Sequence, residues 1–149
     1  MRLRSQNPAS IHINEFRVFS PSINGYPGPF DTAQQKQHQN VALNNDVTIK
    51  TNGIFKRLPS EEKFAIDGRA DTRWVSEKHG DKFLELAWSK PIEIGAIQFI
   101  NGWLQEYGAA KGHYRNLISD YVLEYHNGTN WVEITNYNAA NIADYSQEY

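Results

Sequence analysis

Apolar residues along this chain recur at every second position, in short runs broken by turn residues, and nowhere keep a sustained helical period. Leu84, Leu86 and Trp88 share one side of FLELAW, while Tyr121, Leu123 and Tyr125 share one side of DYVLEY. Asn127-Gly128, between Tyr125 and Trp131, marks a hairpin, because both residue types accept the unusual backbone angles of a tight reversal. The alternation slips phase at Gly95, with Ile92 and Ile94 before it and Ile97 and Phe99 after, which predicts a bulge. Short strands with frequent turns fold as a β-sandwich or jelly roll. The 149 residues suffice for one such domain with its own core. Trp74, Trp88 and Trp131 fall in phase with inward positions and read as core or core-edge aromatics rather than ligand platforms.

One turn carries chemistry. Asp67-Gly68-Arg69-Ala70-Asp71-Thr72 sits between two segments with buried character. Glycine lets the backbone double back, which brings the oxygens of Asp67, Asp71 and Thr72 close together. Clustered hard oxygens on a sharp loop suit Ca²⁺, which takes about six to eight of them. The plainer alternative is a solvated Asx-turn without an ion.

The run from Ala65 to Trp74, AIDGRADTRW, followed by FLELAW and PIEIGAIQF, resembles the discoidin superfamily of galactose-binding-like jelly rolls. That superfamily includes the coagulation-factor C-terminal domains and the family 32 carbohydrate-binding modules. ISDYVLEYHNGTNW is similar to the family's late hairpin, and Asn40-Val41-Ala42 to its opening residues. The likeness runs from Asn40 to the end of the sequence, and rests on several motifs in the right order. The resemblance implies an all-β discoidin jelly-roll β-sandwich.

The order of the ends departs from the family. Its last strands resemble Met1-Arg2-Leu3-Arg4 and Ile11–Phe19, which here come first. Residues 21–39 are polar and rich in Pro, Gly and Gln, the composition of a linker. Residues 1–20 then supply the usual last strands, 21–39 the linker and 40–149 the remainder of a single domain, a circular permutation. A fragment of two tandem repeats is the alternative. Permutation is favoured because the pieces present add up to one nearly whole sandwich, and domain termini usually lie close together.

Under that reading the resemblance implies a structural calcium ion. Relatives complete the acidic turn with a glutamate on the final strand and the carbonyl before it, which fall here on Glu15 and Asn14. A phase change between Ile13 and Phe16 would turn Glu15 inward at a bulge. Arg69 stands where many relatives carry Asp or Asn and can offer only its carbonyl, so Asp71 is the candidate for an additional side chain. The expected metal set is therefore Asn14, Glu15, Asp67, Arg69, Asp71 and Thr72. The animal domains of this family close their ends with a disulfide, whereas cysteine is absent here, which points to a bacterial-type module.

Sugars stack C–H faces on aromatic rings and need a few planar hydrogen-bonding partners. Two loops have those residue types. One carries Phe55 and Arg57; the longer one, from Gly102 to Asn116, carries Trp103, Tyr107, His113, Tyr114, Arg115 and Asn116. A third loop, from Asn136 to Asn141, adds Tyr137. The resemblance to family 32 modules implies a non-catalytic carbohydrate-binding domain that takes a terminal sugar. It would be secreted or at the cell surface, attached to or beside a polysaccharide-degrading enzyme, and monomeric. A protein- or lipid-binding adhesion domain is the alternative, with Phe55 and Leu58 as its weak apolar spikes.

Other classes find little support. A net charge of −2 gives no case for nucleic acid as a partner. No apolar run approaches the roughly 18 residues of a membrane span. The first residues lack the apolar stretch of a signal peptide. No GxSxG, HExxH or P-loop spacing occurs, and nothing sets Glu61, Glu62 and Asp81 across a cleft as a hydrolase pair.

Overall fold

The computed structural model describes residues 1–27, 38–69, 71–104, 108, 111–112 and 114–138, with the backbone alone at 114, 115 and 136–138. The strands among the described residues are β1 (Arg2–Ser5), β2 (His12–Phe19), β3 (Thr48–Thr51), β4 (Trp74–Val75), β5 (Lys82–Ala87), β6 (Ala96–Asn101), β7 (Trp103–Leu104), β8 (Tyr114–Arg115), β9 (Asp120–His126) and β10 (Trp131–Asn138). Single 3-10 turns at Val41–Leu43 and Glu62–Ala65 are the helical pieces among the described residues. The strands form an antiparallel five-stranded sheet, β10-β9-β1-β5-β3, an antiparallel three-stranded sheet, β4-β2-β6, and a small ribbon, β7-β8. The architecture is that of a β-sandwich.

Period-two patterning sets the layers. Leu3 lies opposite both Leu84 and Leu123, and all three are buried in the core with Leu86, Ile13, Phe16, Val18 and Trp74. Each neighbour of Leu3 points the other way. Arg2 and Arg4 reach Glu124 from the outer face, with Arg4 Nε and Nη2 donating at 2.8 and 2.9 Å and Arg2 Nε at 2.9 Å. The two guanidinium groups, Arg4 first, hold the Glu124 carboxyl below its usual range.

The first twenty residues are woven into both sheets. β1 lies between β9 and β5, and β2 between β4 and β6. All of β2 is buried, including its polar members His12, Asn14, Glu15 and Arg17. Its pairing with β6 shifts register between Ile13 and Glu15, as the phase change in the sequence predicts.

After β2 the chain returns close to where it left. Ser20 N–H donates to Gln39 O at 3.4 Å, and Phe19 bridges Asn40. The Asn40 side chain then accepts from Val18 N–H and Ala42 N–H, each at 3.1 Å, and so caps the first 3-10 turn. Of the linker-like stretch, residues 21–27 rest on the sandwich, where Gln98 Nε2 donates to Pro27 O at 3.0 Å.

Three expectations change. Gly95 is no bulge: it precedes β6 and donates its N–H to Phe19 O at 2.8 Å. A Cβ there would lie 1.9 Å from the Tyr26 hydroxyl and 2.5 Å from Pro21 Cα, so glycine answers a close approach of the chain. Trp131 is not in the core. It pairs with His126 on the outer face, where the Arg2 guanidinium lies 3.9 Å over its ring and His126 meets it edge-on at 5.2 Å. Tyr137 belongs to β10, opposite Tyr121, and not to a loop.

Trp74 is fully buried and Trp88 half-buried against the core, donating Nε1–H to Val41 O at 3.0 Å. Trp74→Ala should therefore lower the unfolding free energy by about 3–5 kcal/mol in urea titrations. Trp131→Ala, which removes a surface cation–π contact, should cost about 0.5–1 kcal/mol. Equal losses would contradict the outward placement of Trp131.

Candidate functional site

β2 and the Asp67–Thr72 turn meet at one carboxylate. Gly68 takes φ +78°, a conformation side chains resist, and this turns its N–H toward Glu15, whose Oε2 accepts it at 3.0 Å. Glu15 has no exposed surface, and its Oε1 is buried with no hydrogen-bond partner among the described residues. The bulge in β2 places it there, since strict alternation from Ile13 would send residue 14 outward and residue 15 to the core side. Burial pushes the Glu15 carboxyl up to about 8. The charge of Arg17 opposes the shift, the Asp67 carboxylate adds to it, and the N–H groups of Gly68 and Arg69 relieve part of it.

The turn gathers oxygen around this point. Thr72 Oγ1 lies 2.9 Å from each Asp67 carboxylate oxygen and 3.2 Å from the Arg69 carbonyl. Asp67 Oδ1 also accepts from Arg69 N–H at 3.0 Å, and Asn14 Nδ2 donates to Thr72 O at 2.8 Å. Asp71 departs from expectation. Its carboxylate faces outward and takes the Arg69 guanidinium at 2.9 and 2.7 Å, so the side chain is committed to a surface ion pair. Both members are exposed, which limits what that pair contributes to stability.

Do these residues suit calcium? Among the described residues no three His, Asp or Glu side chains converge, so any set here is two carboxylates plus neutral oxygens. Ca²⁺ accepts hydroxyl and backbone carbonyl ligands readily. The orphaned, buried Glu15 Oε1 is the observation in favour, because an isolated buried carboxylate is costly unless neutralised or bound. Glu15, Asp67, the Thr72 hydroxyl and the Arg69 carbonyl would hold the ion, with Asn14 bracing Thr72 through its side chain.

Trp103 and Leu104 of β7 pair with Arg115 and Tyr114 of β8, and Asn116 follows, exposed, at φ +56°. The side chains of Tyr114, Arg115 and Tyr137 lie outside the described residues, as do Tyr107 and His113 altogether. Phe55 is half-buried and tied by its N–H to Val75 O at 2.9 Å, while Arg57 is exposed.

Patterning alone did not single out Arg73 or His12. The Arg73 guanidinium lies 4.0 Å over the Trp103 ring. His12 is buried beside it, with its pKa lowered to about 4 by burial first and then by the Arg73 charge. Arg73 stands next to Thr72 in the acidic turn, yet only pairing of β4 with β2 reveals that it reaches the β7 ribbon.

Compared with family models, curated proteins and solved structures, the chain gives no match.

The Glu15 shift has a sign. Its native pKa of about 8 exceeds the ordinary 4.5, so the native state keeps a proton that the unfolded chain has released. Stability from this group therefore falls as pH rises from about 4.5 to about 8. Unfolding in chelator should show the parent losing on the order of a few kcal/mol relative to Glu15→Gln across that window. Contributions from His12 and the Met1 amine, whose pKa values are lowered, cancel in that comparison. Parallel pH profiles would show that Glu15 does not titrate anomalously.

Proposed function

We propose that this chain is a circularly permuted discoidin-type β-sandwich that binds carbohydrate without catalysis and carries a structural calcium ion. The observation that supports it best is the meeting of Glu15 with the Asp67–Thr72 turn inside one sandwich. The discoidin resemblance implies that contact only if the leading strands stand in for the family's last ones. The interior positions of β1 and β2 favour the same reading, because a neighbouring repeat's tail would have no reason to complete both sheets.

Sugar recognition follows from the same resemblance and from Trp103, a half-buried ring braced by Arg73 on a short ribbon beside β6. An aromatic fixed on a rigid support presents a stacking face at small entropic cost. The natural setting is extracellular, on or beside an enzyme that degrades polysaccharide.

Chelator should lower the melting temperature and added Ca²⁺ should restore it, since a ligand that binds only the native state stabilises it by mass action. An unchanged transition would sink the metal assignment. On a glycan array the domain should bind at least one sugar class, with affinity on the order of millimolar to micromolar. Trp103→Ala should abolish that binding while leaving the melting transition near the parent's; binding retained in Trp103→Ala would move the site away from this ribbon.

A further inference from the structure

Asn-Gly occurs at 24–25, 52–53, 101–102 and 127–128. In such a pair the glycine nitrogen can attack the side-chain amide carbon of the asparagine, and the absence of a Cβ leaves that approach open. The fold sets two of these pairs in opposite circumstances.

At the β9–β10 hairpin, Gly128 N–H donates to His126 Nδ1 at 3.2 Å. The attacking nitrogen therefore faces an unprotonated ring nitrogen, the kind of group that can take its proton. Asn127 Oδ1 accepts from Thr129 N–H and from Asn130 N–H, each at 2.9 Å. Those two donors polarise the amide carbonyl and are already aimed at the oxygen where negative charge develops on attack. The imidazole is itself braced: it meets Trp131 edge-on at 5.2 Å, and the Arg2 guanidinium lies 3.9 Å over that indole. His126, Asn127 and Gly128 are all exposed, so water reaches the site.

Asn101-Gly102 is held the other way. Gly102 N–H donates to His12 O at 2.9 Å, and a backbone carbonyl is no base at neutral pH. Both ends of the Asn101 amide are tied to Ile118, Nδ2 to its O at 3.3 Å and Oδ1 to its N–H at 2.8 Å. An amide clamped at both ends cannot turn toward its own backbone.

We propose that the β9–β10 turn is a self-modification site, where His126 is the base that drives deamidation of Asn127. His126 Nδ1 takes the Gly128 amide proton as that nitrogen bonds to Asn127 Cγ, and the carbonyl electrons move onto Oδ1 under the Thr129 and Asn130 N–H groups. The Cγ–Nδ2 bond then breaks, the nitrogen leaves as ammonia with the proton that His126 carried, and a succinimide closes. Water opens the ring: cleavage at Cγ gives aspartate, and cleavage at the backbone carbonyl gives isoaspartate. Either product puts a carboxylate where the amide had capped the turn, and isoaspartate also lengthens the backbone there. The reaction needs neither calcium nor sugar.

Peptide mapping by liquid chromatography and mass spectrometry, which separates amide, aspartate and isoaspartate at each Asn-Gly pair, tests it. The whole chain is incubated in one neutral buffer, folded and also unfolded in guanidinium chloride. The parent should convert Asn127 faster folded than unfolded, and Asn101 more slowly folded than unfolded. His126→Gln keeps an acceptor for the Gly128 N–H that cannot take its proton. It should slow conversion of Asn127 in the folded chain by about tenfold, less than a base in a closed site achieves. Its unfolded rate should stay near the parent's. Conversion of Asn127 no faster folded than unfolded overturns the proposal, since the hydrogen bonds then only lock the turn. A folded His126→Gln rate equal to the parent's overturns it too, as does an equal slowing of that variant when unfolded, which would trace the effect to local sequence.

Discussion

A carboxylate with no exposed surface organises the middle of this molecule. A bulge in the central strand of the smaller sheet turns Glu15 away from the core side that Phe16 and Val18 occupy, and the Asp67–Thr72 turn folds over it to donate Gly68 N–H. Burying a charge costs several kcal/mol unless something answers it. Here the answer is partial: two backbone N–H groups and the nearby Arg17 stabilise the ionised form, but burial still prevails and the pKa stays near 8. A proton completes the balance, and the oxygens of Asp67, Thr72 and Arg69 gather in the same turn.

The surrounding sandwich makes that arrangement possible. β2 is covered on both faces and paired on both edges, so its polar side chains have no escape to solvent. His12, Asn14, Glu15 and Arg17 therefore each need a specific setting, whereas Arg2 and Arg4 of β1, on the outer face of the larger sheet, do not. Arg2 and Arg4 solve their problem at the surface with Glu124 and, for Arg2, the Trp131 ring. The same residue types thus serve two ends, and the depth of the strand in the layers decides which.

Much of the architecture was legible in the sequence, because alternation at period two is a local pattern that burial of one sheet face enforces. Leu84, Leu86 and Leu123 face the core as their phase requires, and Asn127-Gly128 turns the β9–β10 hairpin with Gly128 at φ +99°. Phase misleads at boundaries. The slip at Gly95 marks the entry to β6 and a close approach by Tyr26 and Pro21, which no local pattern encodes. Trp131 reads as inward by its strand phase, yet it follows a hairpin whose register sends it outward onto Arg2, a residue 129 positions away. Asp71 looked like a ligand by spacing alone, and its neighbour Arg69 claims it.

The residues by themselves determined the strands, the reversing turns and the chemical character of the acidic loop, since each depends on neighbours a few positions apart. Tertiary structure alone decided which distant groups share a site. Glu15 and Gly68 meet across 53 positions, and Arg73, just before β4, covers Trp103 of the β7–β8 ribbon. Those meetings follow from strand order and from one register shift in β2, and a one-residue change in register reverses which side chains are buried. Local preference cannot specify such a choice, because it is settled by how well two whole layers pack.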